Sequence, residues 1–301
     1  MTGVQTCALP ISDYVWDSDG NRVVNGDDTR EESTVTVGGG STLRVHTAHD
    51  TTIEHLDLSE GSEVSVTSDA GSAHFRTIGA DGSALYVTAN KDIEVLDSLT
   101  LTNDSAAVFI AQEGGFYSAD SAGNEQGACQ FIHVTDSDLT IEAHTNVAID
   151  HLTAANGTVH VTAATGGFAG KTILLTNTTA TYAIFGDIVL ESDENDTPDH
   201  HDDGEVLVAT DSDVTFTSSA GDLLSDSIHD AWQIIRSTLR ITLDAGSLVV
   251  RDSVTITDSD VTITTGSGAA ATDAFGGETY YAYSDGARTF YTLDAVRTAG
   301  S

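Results

Sequence analysis

Three near-copies of one short segment constrain this chain most. GSTLRVHT begins at Gly40, GSEVSVT at Gly61 and GSALYVT at Gly82, two successive steps of 21 residues. Within each copy apolar and polar residues alternate, the period of a half-buried strand. The alternation recurs in STVTV at 33–37, DLTIE at 138–142, DVTFT at 213–217, STLRITL at 237–243 and SVTITDSDVTIT at 253–264. A period near 21 residues accommodates two or three short strands and their corners. A parallel β-helix needs that much chain per coil, because each coil must close its cross-section and set its Val, Ile and Leu on those of the next.

Longer matches extend the pattern. IEHLD at 53–57 recurs as IEVLD at 93–97, and IEHLDLSEGSEVSVTS at 53–68 recurs as IDHLTAANGTVHVTA at 149–163. A second family, TDSDLTIE at 135, TDSDVTFT at 210 and TDSDVTIT at 257, reads as solenoid turns. Gly, Asp, Asn and Ser are the residues that tolerate tight or left-handed corners. The expectation is an all-β parallel β-helix over 33–277, about 21 residues per coil, with about 12 to 14 coils and a length of about 60 Å at the usual strand spacing. Tandem antiparallel β-sandwiches are the alternative, because the 96-residue offset between Ile53 and Ile149 equals the length of a sandwich domain. In DLLSDSIHDAWQII at 222–235, the window that most nearly suits a helix, the apolar residues have mixed spacing, which argues against one.

Charge narrows the function classes. Forty-seven acidic residues face eleven basic ones, a formal net charge of −36, and Lys91 and Lys171 are the two lysines. Such a surface repels phosphate backbones and anionic lipid, so nucleic acid is not an expected partner. No apolar run is long enough for a membrane-spanning helix, so no membrane insertion is expected. Acidity with almost no lysine suits a saline setting, where salt screens the self-repulsion.

Residues 1–12, MTGVQTCALPIS, are unlike the rest: they hold the sole Met, one of two Cys and one of two Pro, and no charged side chain. They lack the basic flank and long apolar stretch of a secretory signal. Residues 1–11 resemble a translated sequencing adapter, which implies that 1–12 have no role in the fold and that the natural N-terminus, with any signal peptide, is missing. Without Cys7, Cys129 stands alone, and no intrachain disulfide is expected.

The G[ST]xVxVT and DSxVTIT segments, rich in Thr and Asp and poor in Cys and Pro, cover most of 33–265. They resemble the repetitive β-helical stalks of large secreted surface proteins, the filamentous-haemagglutinin-like adhesins. The resemblance implies a non-catalytic structural or adhesive rod, extracellular or at the cell surface, with surface glycans or other surface proteins as partners. It transfers no site residue. A carbohydrate- or Ca²⁺-binding β-helix module and a polysaccharide lyase or hydrolase are the alternatives. Against the enzyme stands the absence of the GHG, RIK, HExxH and GxSxG elements and of a Gly-rich phosphate loop. Arg236, Arg240 and Arg251, the basic residues that could share a face, read more simply as partners of the acidic surface.

Sites are sought where the repeats are interrupted. QEGGFYSADSAGNEQG at 112–127 offers Phe116 and Tyr117 on a Gly-rich loop as a sugar-stacking lip. ESDENDTPDHHDDG at 191–204 clusters carboxylates with His200 and His201, so Asp199, His200, His201, Asp202 and Asp203 are candidate metal ligands. DYVWDSDGNRVVNGDD, within a turn-rich lead-in at 13–32, places Asp17 and Asp19 as in a partial Ca²⁺ loop, but Val15 and Gly26 stand where such a loop needs its first and last carboxylates. A turn between two imperfect strands explains the segment more simply. Residues 278–301, with Tyr280, Tyr281, Tyr283, Phe290 and Tyr291, are expected to cap the solenoid or continue it.

Overall fold

The computed structural model describes residues 34–118, 131–190, 205–225, 231–250 and 253–265, with the backbone of short strands at Val15–Trp16, Arg22–Val23, Tyr280–Ser284 and Thr289–Leu293. Among the described residues every pairing between strands within 34–265 is parallel, which excludes the sandwich alternative. The chain forms a β-solenoid of about 9 turns with roughly 22 residues per turn. At about 4.8 Å per rung this is a stack of roughly 40–45 Å, shorter than the sequence suggested, because the stretches between the described strands lengthen some turns.

Each turn has three faces. The first is a six-residue strand such as Thr42–Thr47, Glu63–Ser68 or Ala84–Ala89, in unbroken register at the 21-residue step read from the sequence. The second and third faces are the two halves of a bent strand such as Thr51–Ser59 or Ala73–Asp81. Inward residues stack on their own kind. On the third face Leu56, Ile78, Leu99, Ile132, Leu152 and Ile173 follow one another through successive rungs, each at most 1% exposed. Removing one such side chain from water is worth roughly 1.5–3 kcal/mol, and the stacking repeats that gain at every rung.

Register sorts the sequence matches. Ile53 and Ile149 occupy equivalent positions, so their 96-residue offset is four coils, one of them lengthened. IEHLD and IEVLD do not align: Val95, not Ile93, follows Ile53 and Phe75, and Ile93 follows Ala73. The segment 222–235 contains two strands, Leu223–Ser225 and Ala231–Ile235.

The corner from the third face to the first explains both repeat families. Glu60, Asn103, Asp136, Asn156, Asn177, Asp211, Arg236 and Asp258 turn it with φ between 47° and 58°. Asn and Asp accept this left-handed conformation best, and Gly61 and Gly82 use it freely at φ 73° and 57°. Ser or Thr follows, and the Ser hydroxyls from Ser83 on cap the preceding coil. Ser62 N donates to Ser83 Oγ at 3.2 Å, Ser83 N to Ser105 Oγ at 3.2 Å and Ser105 N to Ser137 Oγ at 3.2 Å. The row resumes with Thr178 N to Ser212 Oγ at 3.1 Å, Ser212 N to Ser237 Oγ at 3.0 Å and Ser237 N to Ser259 Oγ at 3.0 Å. Gly-Ser and Asp-Ser are therefore two spellings of one corner. Gly157 interrupts the row, and a Cβ there would collide with Ser137 O.

At the corner between the first and second faces, Asx carboxyl and carboxamide oxygens replace serine. Asp50, Asp92, Asn146, Asp187 and Asp222 each accept from a backbone N–H one coil on, at 2.6–2.9 Å. Strands Phe116–Ser118, Ile188–Leu190 and Leu223–Ser225 belong to the second face, and the chain resumes on the third at Phe131, Glu205 and Ala231. The excursions thus all depart where the bent strands otherwise turn, and the first begins after Ser118 rather than at 112. After the last rung, Thr289–Leu293 pairs antiparallel with Asp260–Thr265 and with Tyr280–Ser284, so the aromatic segment forms a hairpin on that sheet edge.

Candidate functional site

The proposed sugar-stacking lip is not one. Phe116 opens a second-face strand, is 0% exposed and packs on Phe109 with ring centroids 5.3 Å apart. Tyr117 is half-buried and points the other way, as alternation requires. Asp17, Asp19, Asp199, His200, His201, Asp202 and Asp203 lie outside the described residues, as do Cys129 and Arg251. Val15–Trp16 and Arg22–Val23 pair antiparallel on either side of 17–21, as the simpler reading of that segment expects. Among the described residues no group of three or more His, Cys, Asp or Glu side chains is placed to hold a metal ion.

Arg236 and Arg240 bind to the acidic surface. Arg236 Nε and Nη2 donate to Asp211 Oδ1 and Oδ2 at 2.7 and 2.6 Å, and Arg240 Nη1 donates to Asp213 Oδ1 at 2.7 Å. The first pair holds the Asp211 carboxyl below its ordinary pKa, chiefly through the hydrogen bond. Arg76 sits between Glu54 and Asp97, and Lys171 beside Asp150. Parallel register stacks like positions, so acid would fall on acid; these cations and the Asn156–Asn177 pair, 3.0 Å apart, separate the carboxylates along the rod.

Outward positions of the third face gather what the sequence did not bring together. Phe131, 39% exposed, lies beside His133 of its own strand and His151 of the next coil, with ring centroids 5.6 and 5.1 Å away and planes tilted by 20° and 30°. The neighbour on the preceding coil is Ser98, too short to cover a phenyl ring. His133 pairs with Thr100, which follows Gly79 and Asp57 in the same outward row. Gly79 lacks the side chain that would fill this row, and a shallow open depression of about 220 Å³ results, lined by Asp57, Gly79, Asp81, Thr100 and Thr102. Asp81 accepts a hydrogen bond from Asn103. The face therefore carries, over a few rungs, two carboxylates, two hydroxyls and an aromatic wall.

No family model, curated protein or solved structure matches this chain. Among the described residues no helix is long and apolar enough to cross a membrane.

Proposed function

We propose that this chain is a non-catalytic structural or adhesive rod of a secreted or cell-surface repeat protein. The observation that carries the reading is the solenoid itself. About 9 parallel turns present three regular faces, and the described interruptions leave from one corner, so the core serves as a spacer with display surfaces. The resemblance to β-helical stalks of filamentous-haemagglutinin-like adhesins supports it, and a surface of net charge −36 favours partners that are not polyanions.

Beads coated with the protein test the reading under flow over surfaces bearing cell-surface glycans or proteins. Retention above that of albumin-coated beads is the expected result, and equal retention overturns the adhesive role. Release of reducing ends from a polysaccharide panel would overturn the non-catalytic part. A carbohydrate-binding role is the second reading, favoured by the exposed ring of Phe131 next to the Gly79 depression. For Ca²⁺, a fall of several degrees in the melting temperature on adding a chelator would establish a bound ion, and an unchanged curve would dismiss it.

A further inference from the structure

We propose that the third face binds a neutral glycan chain laid along its outward side from the Gly79 depression to the Phe131 ring. The proposal rests on the adhesive reading and gives it a site. A pyranose ring has an apolar face of C–H groups and an equatorial belt of hydroxyls. It is therefore matched by an exposed aromatic ring flanked by fixed acceptors and donors. Phe131 supplies the ring, held upright by its contacts with His133 and His151. One rung away Thr100 and Thr102 offer hydroxyls, and Asp81 two rungs away and Asp57 three rungs away offer carboxylate oxygens that accept from sugar hydroxyls. From the Gly79 row to the His133 row is two rungs, roughly 10 Å, the reach of a short oligosaccharide.

Charge selects the occupant. The depression has two carboxylates, and the chain carries a net charge of −36, so uronate or sulfated polymers are repelled. Gly79 is what keeps the depression open: a Cβ there would stand 3.2 Å from Asp57 Oδ1, and any longer side chain would occupy the space. Its backbone lies outside the left-handed region, so a replacement fills the depression with no strained φ once the Asp57 carboxylate shifts by a few tenths of an ångström.

The experiment is an array of neutral, uronate and glucosamine oligosaccharides, including β-1,4-glucose, β-1,4-mannose and α-1,4-glucose hexasaccharides, followed by titration calorimetry. The intact chain is compared with Phe131→Ala, Gly79→Gln and Tyr86→Ala, the last removing an exposed ring on the first face. The proposal expects binding to a neutral oligosaccharide, weakened about tenfold or more by Phe131→Ala and by Gly79→Gln and unchanged by Tyr86→Ala. Each of three results overturns it: no neutral oligosaccharide bound at millimolar concentration, affinity indifferent to both Phe131→Ala and Gly79→Gln, or binding confined to glucosamine and abolished by salt. Circular dichroism of each variant checks that the fold persists. If the array is blank while coated beads still adhere to protein surfaces, the glycan site is rejected and the adhesive rod stands.

Discussion

Replacing Ser212 by Ala removes one hydroxyl from the corner row and tests whether that row holds the coils together. Ser212 Oγ accepts from Thr178 N at 3.1 Å and donates to Thr210 O at 2.8 Å. Thr178 is 2% exposed, so its N–H would lose its partner where water does not reach. Thr210 O keeps a second donor, Asn177 N at 2.9 Å, so the loss falls on one side of the hydroxyl. A buried donor left unmade costs about 1–3 kcal/mol, and with the carbonyl still paired the lower half of that range is expected, about 1–2 kcal/mol. Ser212→Thr should cost less than about 0.5 kcal/mol, because Thr178 fills an equivalent place with its hydroxyl donating to Thr176 O at 2.9 Å. Urea unfolding followed by circular dichroism reads both. Solenoids can open rung by rung, so amide exchange at Thr178 reads the local loss directly. The reasoning is refuted if Ser212→Ala is as stable as the parent, or if Ser212→Thr is as damaging as Ser212→Ala.

Tyr182→Phe should raise stability by roughly 1 kcal/mol, measured by urea unfolding, because the buried Tyr182 hydroxyl has no hydrogen-bond partner while its ring stacks on Phe216 at 4.6 Å; a loss of stability would show that the hydroxyl is satisfied after all. Gly157→Ser restores the sequence pattern of the corner yet should destabilise, since its Cβ would collide with Ser137 O; a gain in melting temperature would contradict the packing. The depressed Asp211 pKa contributes stability above the ordinary carboxylate range, lost as pH falls through the lowered value. Arg236→Gln should therefore move the Asp211 carboxyl titration, followed by NMR, back up toward its ordinary value, and an unmoved titration would show that another group sets it.

The fold class was legible because its cause is local and periodic. Val64 and Val66, Leu85 and Val87, or Val214 and Phe216 alternate with polar neighbours, and copies 21 residues apart cannot stack except in parallel register. The TDSD and GS motifs also marked real corners, although that they are one corner, joined by a single serine row, depends on which residues the coils bring level. Sites were less legible. Phe116 sits among Gly and Ser in sequence and looked exposed, but its strand has three residues, too few for an alternation to declare itself. One residue of register decides whether such a side chain faces core or solvent.

What the sequence determined by itself was the parallel all-β solenoid, its repeat length and its net acidity, all properties of pattern and composition. Only the tertiary structure decided the number of rungs, the corner from which the excursions leave, and the meeting of Asp57, Gly79, Thr100 and His133 in one outward row. The physical reason is that a solenoid makes neighbours of residues one coil apart, while an excursion alters that distance in sequence without altering the rung. Thr100 and His133 are adjacent because the chain between them returns to the ladder at Phe131, a register set by packing across the core rather than by any local signal.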